Sequence, residues 1–405
     1  MITIQYLEDS PDLPRREIET VREKLRMAAR ILPFTHLLIG WHLPVGLFEA
    51  CRQEAEKLGL RLLRWHPLLT ADGVFQPDPD CQVIGAGGRK VRGYNEMPEF
   101  TFVCPNNPIA QEEIRRRVDF LLKESVYDGF FLDRVRFPSP SNNPVQDLGC
   151  FCEHCCRLAA AQGFDLDLVR QAILKIAGTP DGRLALVISL LGGNTTEIEP
   201  KIAAQLNAFL DFRQACLTGF IARIYEPLHE AGMEIGLDCF SPGLTRMVGQ
   251  DLGKLGIYAD WIKIMSYAHT LGPAGIPFEL SGFIDFLSAG GGLKLSDIIH
   301  AIGKALDLEL PENLQLLKGR GISSSALETE LRHGLRATSA PILAGVELVQ
   351  IEGVAELNDI QILADLEAVR RADVAGLSIS WDLWDIPLER LELVRRTMQG
   401  KNHKL

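Results

Sequence analysis

No run of about 18 apolar residues occurs in this 405-residue chain, so no segment reads as a membrane-spanning helix. The opening MITIQYLEDSPDLPRR has neither the basic region, the apolar centre nor the small-residue cleavage site of a secretory signal. The expectation is a cytoplasmic protein with no membrane partner. Basic charge is also scarce: 42 Lys and Arg against 53 Asp and Glu give a formal net charge of −11. A phosphate-backbone binder needs a basic face that releases counterions, so nucleic acid is not an expected partner.

Three catalytic signatures are missing. There is no G-x-S-x-G, which argues against a serine nucleophile on a strained elbow. No H-x-H closes the first strand, so a metal-dependent amidohydrolase barrel would lack its usual ligands. IGAGGRK (84–90) approaches a phosphate loop, but GxxxxGK[ST] is not satisfied and no strand feeds it; it reads as a flexible loop. One N-x-T triplet, Asn194 to Thr196, carries little meaning without a secretion signal, and the tail KNHKL is expected to fray.

What is present is a core. Hydrophobic residues make up 46% of the chain and charged ones 23%, a globular composition with no sign of disorder. Eight β-type runs recur: ITIQYL (2–7), HLLIGWH (36–42), LRLLRWH (60–66), GFFLDRV (129–135), EIGLDCF (234–240), WIKIMSY (261–267), ILAGVELV (342–349) and AGLSISW (375–381). Their near-continuous apolarity suits parallel strands covered on both faces. Helical patterns lie between them, as at 15–31, 45–59 and 109–124, the last opening just after a proline. Alternating strand and helix imply an α/β fold with right-handed crossovers, and eight strands favour a single (β/α)8 TIM barrel over 1–405. Three connections are long: 67–108 after strand 3, 136–233 after strand 4 (helical and Cys-rich) and 268–341 after strand 6. Within the first, FTFVC (100–104) reads as part of the loop rather than a ninth strand. Long insertions of this kind fall on the C-terminal face, where barrel substrates bind.

That placement makes the strand exits the candidate site. Strand 4 ends abruptly in Asp133, Arg134 and Arg136. An unpaired buried Asp133 would be costly, so it faces a solvated mouth or is neutralised by an arginine; a structural Asp–Arg pair and a catalytic carboxylate both satisfy that condition. Asp238 closes the fifth run, Tyr267 and His269 follow the sixth, Glu347 lies near the end of the seventh and Asp382 follows the eighth. Four of the five tryptophans, Trp41, Trp65, Trp381 and Trp384, fall at strand ends. Tryptophan offers a flat apolar platform with one donor, suited either to the C–H face of a sugar or to plugging the barrel end. His42 and His66 follow two of these tryptophans and would bond sugar hydroxyls or backbone carbonyls.

YDGFFLDRVRFP (127–138) closely resembles the strand-four signature of a family of glycoside-hydrolase-like TIM barrels, in which YD-x-DGI-x-[FL]D-x-[IV]RFP is typical. FVCPNNPIAQEEIRRRV (102–118) is similar to the segment leading into it, CFCEHCCRLAAAQG (150–163) to a Cys-rich segment that follows it in some members, and ADWIKIMSYAHTLGPAG (259–275) to the sixth-strand region. The resemblance spans roughly residues 30–280 and 340–390; RFP is its distinctive element. It implies a barrel acting on a polysaccharide or oligosaccharide, with Asp133 in the catalytic aspartate's position. The chain departs from the pattern in showing no export signal, which puts an extracellular polymer in doubt as substrate.

Glycoside hydrolysis needs two carboxylates, one to protonate the leaving oxygen and one to attack the anomeric carbon or activate water. By analogy with retaining barrels, Glu347 ranks first as partner to Asp133. Asp238 becomes the partner if Asp133 is itself the nucleophile. Arg136 would clamp a carboxylate or substrate oxygen, and Tyr267 would tune the nucleophile; Trp41, His42, Trp65, His66, Trp381 and Asp382 complete the expected substrate contacts. No organic cofactor is required. Two other readings stand: a carbohydrate-binding barrel without catalysis, and a zinc-dependent hydrolase or deacylase.

Nine cysteines are an odd number, and four crowd into 150–156, unlike a spread secretory disulfide framework. Cys150, Cys152, Cys155 and Cys156, with His154 among them, supply enough soft ligands for a structural zinc pinning the long loop; four unliganded thiols are the alternative. CxxxCxxC is absent, which argues against a radical iron–sulfur site.

Overall fold

Every apolar run named above becomes a strand of one closed parallel ring. The computed structural model describes residues 1–8, 12–72, 75–124, 126–194 and 198–399; Thr195 and Thr196 of the N-x-T triplet and the KNHKL tail lie outside them. The barrel strands are β1 (Ile2–Tyr6), β2 (His36–Ile39), β3 (Arg61–Pro67), β4 (Gly129–Asp133), β5 (Glu234–Phe240), β6 (Trp261–Met265) and β7 (Ile342–Glu347), then, after a short antiparallel pair β8 (Gln350–Ile351) and β9 (Ala355–Glu356), β10 (Gly376–Ser380). The ring runs β1-β10-β7-β6-β5-β4-β3-β2 and closes on itself, so no edge is left for pairing with another chain. This is a (β/α)8 TIM barrel.

Helices form where sequence supplies both an apolar stripe and an end. Val45–Leu58 stops at Gly59, whose left-handed φ of 65° closes the last turn. Pro108–Glu124 starts on the proline, whose missing N–H costs nothing at a helix start. Asp359–Ala372 opens with a capping box in which the Asn358 side chain accepts from the Gln361 N–H and the Gln361 side chain accepts from the Asn358 N–H. The segment after β4 carries four helices, from Glu153–Ala161 to the long Pro200–Glu230, and the segment after β6 carries four more between residues 276 and 337.

Inside the ring, strand alternation sends every second side chain to the axis. Leu38, Trp41, Leu63, Trp65, Phe131, Trp261 and Leu343 form this inner core. Trp261 stacks on Phe131 at 5.4 Å and donates from its indole N–H to Glu234 at 2.7 Å. The neighbouring position is Gly236 because a Cβ there would lie 2.3 Å from the Trp261 ring. The N-terminal end of the barrel is thereby plugged.

Among the described residues, the segment between β3 and Pro108 holds no long strand; Val103 makes one antiparallel bridge to Gln82. IGAGGRK, expected as a flexible loop, is instead anchored at both ends. Ile84 bridges Lys90, and Gly85 bridges Gly149 in the segment after β4. The approach at Gly85 is so close that a Cβ would fall 1.6 Å from the Gln146 carbonyl oxygen, which only glycine allows.

Candidate active site

The C-terminal ends of β1, β4, β5 and β6 place an acid, two acids side by side and a lysine around one cavity. Leu132 pairs with Leu237, so Asp133 and Asp238, the next residues, stand beside each other on adjacent strands; Asp238 in turn pairs with Lys263. Neighbouring strands lie about 4.8 Å apart, which sets the two carboxylates at close range.

Asp133 is buried and fully fixed. Its Oδ2 accepts from the Trp65 indole N–H at 3.1 Å and its Oδ1 from the Arg134 backbone N–H at 2.5 Å. That second bond exists because Arg134 adopts a left-handed φ of 54°, turning the chain back on its own strand end; such a conformation in a non-glycine residue is uncommon and concentrates at functional sites. The Arg134 guanidinium is sandwiched at 4.7 Å between Trp41 and Phe100, so it serves as a fixed cation at the mouth.

Lys263, at the barrel axis, donates to Asp238 Oδ2 at 3.0 Å and to Gln5 Oε1 at 2.8 Å; Ser380 also donates to Gln5, at 2.7 Å. Burial opposes the ammonium charge, but Asp238, Tyr267 and Asp133 outweigh it and hold Lys263 above the usual lysine range. Asp238 is pushed up to about 7, first by burial and then by the Asp133 charge, against the pull of Lys263. Its Oδ1 has no hydrogen-bond partner among the described residues. One oxygen is therefore held by the lysine, and the other is a buried acceptor without a bond of its own.

Glu8 is the acid that sequence reading missed. It stands two residues past the end of β1, in the same strand-exit region that drew attention to Asp133 at the end of β4, and that likeness was the available signal. β1 and β5 stand four strands apart in either direction around the ring, so Glu8 lies across the mouth from Asp238. Its carboxyl is raised to about 7, chiefly by burial, with Arg134 lowering it and Asp382 and Asp133 raising it.

These groups line a cavity of about 650 Å³ with Trp41, Trp65, Trp381, Tyr94, Phe100 and Tyr267 among its walls. A second lobe of about 310 Å³ shares Tyr94, Phe100, Arg136 and Pro273 with it, so the cleft is longer than one compact ligand needs.

The remaining expected residues divide by strand parity and by loop packing. Arg136 lines both lobes, its guanidinium between Phe102 at 4.3 Å and Phe240 at 4.6 Å, and burial lowers it to about 10. No ion pair joins it to Asp133 among the described residues. Tyr267 and Trp381 line the cavity, and burial drives the Tyr267 hydroxyl up beside Lys263. His42 and His66 do not line it. His66 follows inward-facing Trp65, so alternation sends it outward, where it is fully buried and burial keeps it neutral; His42 pairs with Asp72 at 3.0 Å. Glu347 does not line it either: its carboxylate accepts from the His269 N–H at 3.0 Å and the Thr270 hydroxyl at 2.8 Å, fastening the loop after β6, and burial raises it to about 7. Asp382 is likewise turned to backbone, accepting from the N–H groups of Leu7 and Glu8 at 2.8 Å and Trp384 at 2.9 Å; it positions Glu8. Trp384 lies under Arg16 at 4.6 Å, away from the cavity. Of the four expected thiol ligands, Cys150, Cys152 and Cys155 come together, Cys104 joins them, and Cys156 turns its sulfur toward the Phe151 carbonyl at 3.8 Å.

No protein-family model matches the chain, and no curated protein is similar to it in sequence. Solved structures are similar in fold. The PgaB (BpsB) glycoside hydrolase domain from Bordetella bronchiseptica shares 11% identity over 99% of this chain and 96% of its own, with a TM-score of 0.52. The β-galactosidase of the psychrophilic Marinomonas ef1 shares 11% identity over 99% of this chain at a TM-score of 0.54, and this chain spans 59% of it. The catalytic domain of the Paenibacillus polymyxa β-amylase shares 10% identity over 99% of this chain and 98% of its own, at a TM-score of 0.50. These neighbours are TIM-barrel glycosidases, and at such identity the likeness is one of fold.

Proposed function

We propose that the barrel mouth hydrolyses a glycosidic bond in an oligosaccharide, with Asp133 as nucleophile or base and Asp238 as proton donor. The observation that carries this reading is the pair itself: two carboxyl groups on adjacent strand ends, in very different surroundings, on one aromatic-walled cavity. Asp133 accepts two N–H bonds that fix both of its oxygens. Asp238 is held near half-protonation at neutral pH, as a general acid requires. Adjacent strands lie about 4.8 Å apart, a placement compatible with the short carboxyl separation of retaining enzymes, in which the carboxylate attacks the anomeric carbon directly.

The steps follow from these groups. A sugar ring stacks its C–H face on the tryptophans. Asp238 Oδ1 gives its proton to the leaving oxygen, Lys263 holding Oδ2 in place throughout. Asp133 forms the glycosyl ester as that bond breaks, and Arg134 and Arg136 offset the anionic charge at the mouth. Asp238, now ionised, takes a proton from the incoming water, which cleaves the ester and restores both groups.

Glu8 supports a second assignment of the acid, because it faces the pair from the opposite rim with a carboxyl also raised to about 7. Leaving-group dependence separates the two. With an activated aryl glycoside, which departs without a proton, the variant lacking the true acid keeps its glycosylation rate, while Asp133→Asn loses it. If Asp238→Asn fails equally on activated and unactivated glycosides and Glu8→Gln does not, Asp238 is not the donor. Turnover by Asp133→Asn at the wild-type rate would leave carbohydrate binding without catalysis as the surviving account.

A further inference from the structure

Outside the mouth, four thiols from two separate insertions converge. Cys104 closes the segment after β3; Cys150 and Cys152 lie in the segment after β4, and Cys155 is in the helix Glu153–Ala161 that follows. Their sulfurs all lie within 4.8 Å of one another, with Cys104 to Cys155 at 3.4 Å and Cys104 to Cys152 at 3.6 Å. A disulfide would need about 2.05 Å, and all four are free thiols. A tetrahedron built on Zn–S bonds of about 2.3 Å has edges of about 3.8 Å, which is the scale observed.

The surroundings are those of thiolates. The Ile84 N–H reaches Cys150 Sγ at 3.5 Å, the Asn106 N–H reaches Cys104 Sγ at 3.4 Å, and the Asn106 side-chain amide donates to Cys155 Sγ at 3.2 Å. Backbone and amide donors of this kind orient metal-bound sulfur and spread its charge. Arg213 is fully buried, donates to the Met247 carbonyl at 2.9 Å, and leaves Nε and Nη2 without a partner among the described residues, while its charge acts on Cys150 and Cys155. A buried, under-partnered cation is costly beside four neutral thiols. Beside an anionic centre it is compensated.

We propose that Cys104, Cys150, Cys152 and Cys155 bind one zinc ion as a closed structural site. The thiols release their protons to solvent, four S–Zn bonds form, no electrons are transferred, and the resulting net charge of −2 is partly offset by Arg213. Four sulfur ligands leave no position for water, so the site has no hydrolytic part, and it stands independently of the glycosidase reading. Its mechanical effect is on the cleft. The segment pinned at Cys104 carries Tyr94, Met97 and Phe100, and zinc ties this wall to the strand-four exit that presents Asp133.

The test is elemental analysis of the full chain purified under reducing conditions without added metal, with cobalt reconstitution after chelation. One zinc per chain is expected, and the cobalt form should show the intense visible bands and sulfur-to-cobalt charge transfer of a tetrahedral tetrathiolate. Cys104→Ser should lose stoichiometric zinc while Cys156→Ser keeps it, which separates this ligand set from the run of four adjacent cysteines. Wild-type protein with four titratable thiols and no metal, a disulfide within the cluster by mass, or iron in place of zinc would overturn the proposal. So would full zinc retention by Cys104→Ser. Because wild-type metal content and the cobalt spectrum need no variant, the outcome stands even if Cys104→Ser fails to fold.

Discussion

Lys263 and Asp238 form an ion pair at 3.0 Å at the centre of the barrel mouth, both almost wholly removed from water. Breaking such a pair from one side leaves an uncompensated charge and typically costs about 3–5 kcal/mol. Lys263→Met is expected to destabilise the protein by about 3 kcal/mol at pH 7.5, measured by chemical denaturation. The loss should shrink below about pH 6, where Asp238, raised to about 7, takes a proton, and Asp238→Asn in the same chain should recover part of it. Equal losses at both pH values, with no recovery in the double variant, would mean the pair is not coupled.

Asp133→Asn should fold normally and lower turnover on an unactivated glycoside by at least about a hundredfold. Circular dichroism and a melting temperature near wild type exclude unfolding as the cause. A decline in stability that tracks the decline in rate would instead make Asp133 a structural residue.

Glu347→Gln separates the two carboxylate pairs. Glu347 bonds the His269 N–H and the Thr270 hydroxyl, and glutamine keeps an acceptor for the first, so kcat/KM should stay within about threefold of wild type while the melting temperature falls modestly. A loss of about a hundredfold or more in kcat would restore Glu347 as the second catalytic acid.

Trp65→Phe preserves most of the aromatic platform and removes one donor from Asp133 Oδ2. Hydrogen bonds to a charged group contribute about 1.5–3 kcal/mol, so kcat should fall by about tenfold or more while KM changes little. An unchanged kcat with a raised KM would confine Trp65 to stacking.

Stability should fall as pH rises from about 4 to 7. Asp238, Glu8 and Glu347 are raised to about 7 and Asp382 to about 6, burial being the first cause in each. The folded state thus holds protons that the unfolded chain has released above pH 4. Stability from this source is complete below the unfolded values and lost as pH climbs through the folded ones. His269, raised by Asp365 against the effect of burial, acts in the same direction. Denaturation midpoints at constant ionic strength should decline across that window and level off above it; a midpoint rising from pH 5 to 7 would contradict the burial of these acids.

The strands were legible because a buried parallel strand has one local signature, continuous apolarity, and EIGLDCF (234–240) matches β5 residue for residue. That Asp133, Asp238, Trp41, Trp65, Trp381, Arg136 and Tyr267 line one cavity was legible because a strand exit fixes where its side chain emerges. His42 and His66 show the limit of reading pairs: alternation sends His66 to the face opposite Trp65, and His42, in the turn past β2, is drawn to Asp72. Glu347 and Asp382 were claimed by backbone N–H groups from distant loops, which sequence spacing does not report. Cys104 lies 51 residues before Cys155, so only the folding of two insertions against each other brings it to the cluster in place of Cys156.

Trp261, stacked on Phe131 and admitted by Gly236, makes the barrel a vessel with one door. Nothing can thread along its axis. Under the hydrolysis proposed above, a chain end entering the cavity would have to leave by the way it came, so departure of one piece would compete with arrival of the next. A longer chain would be left to lie sideways, past Arg136 and into the second lobe.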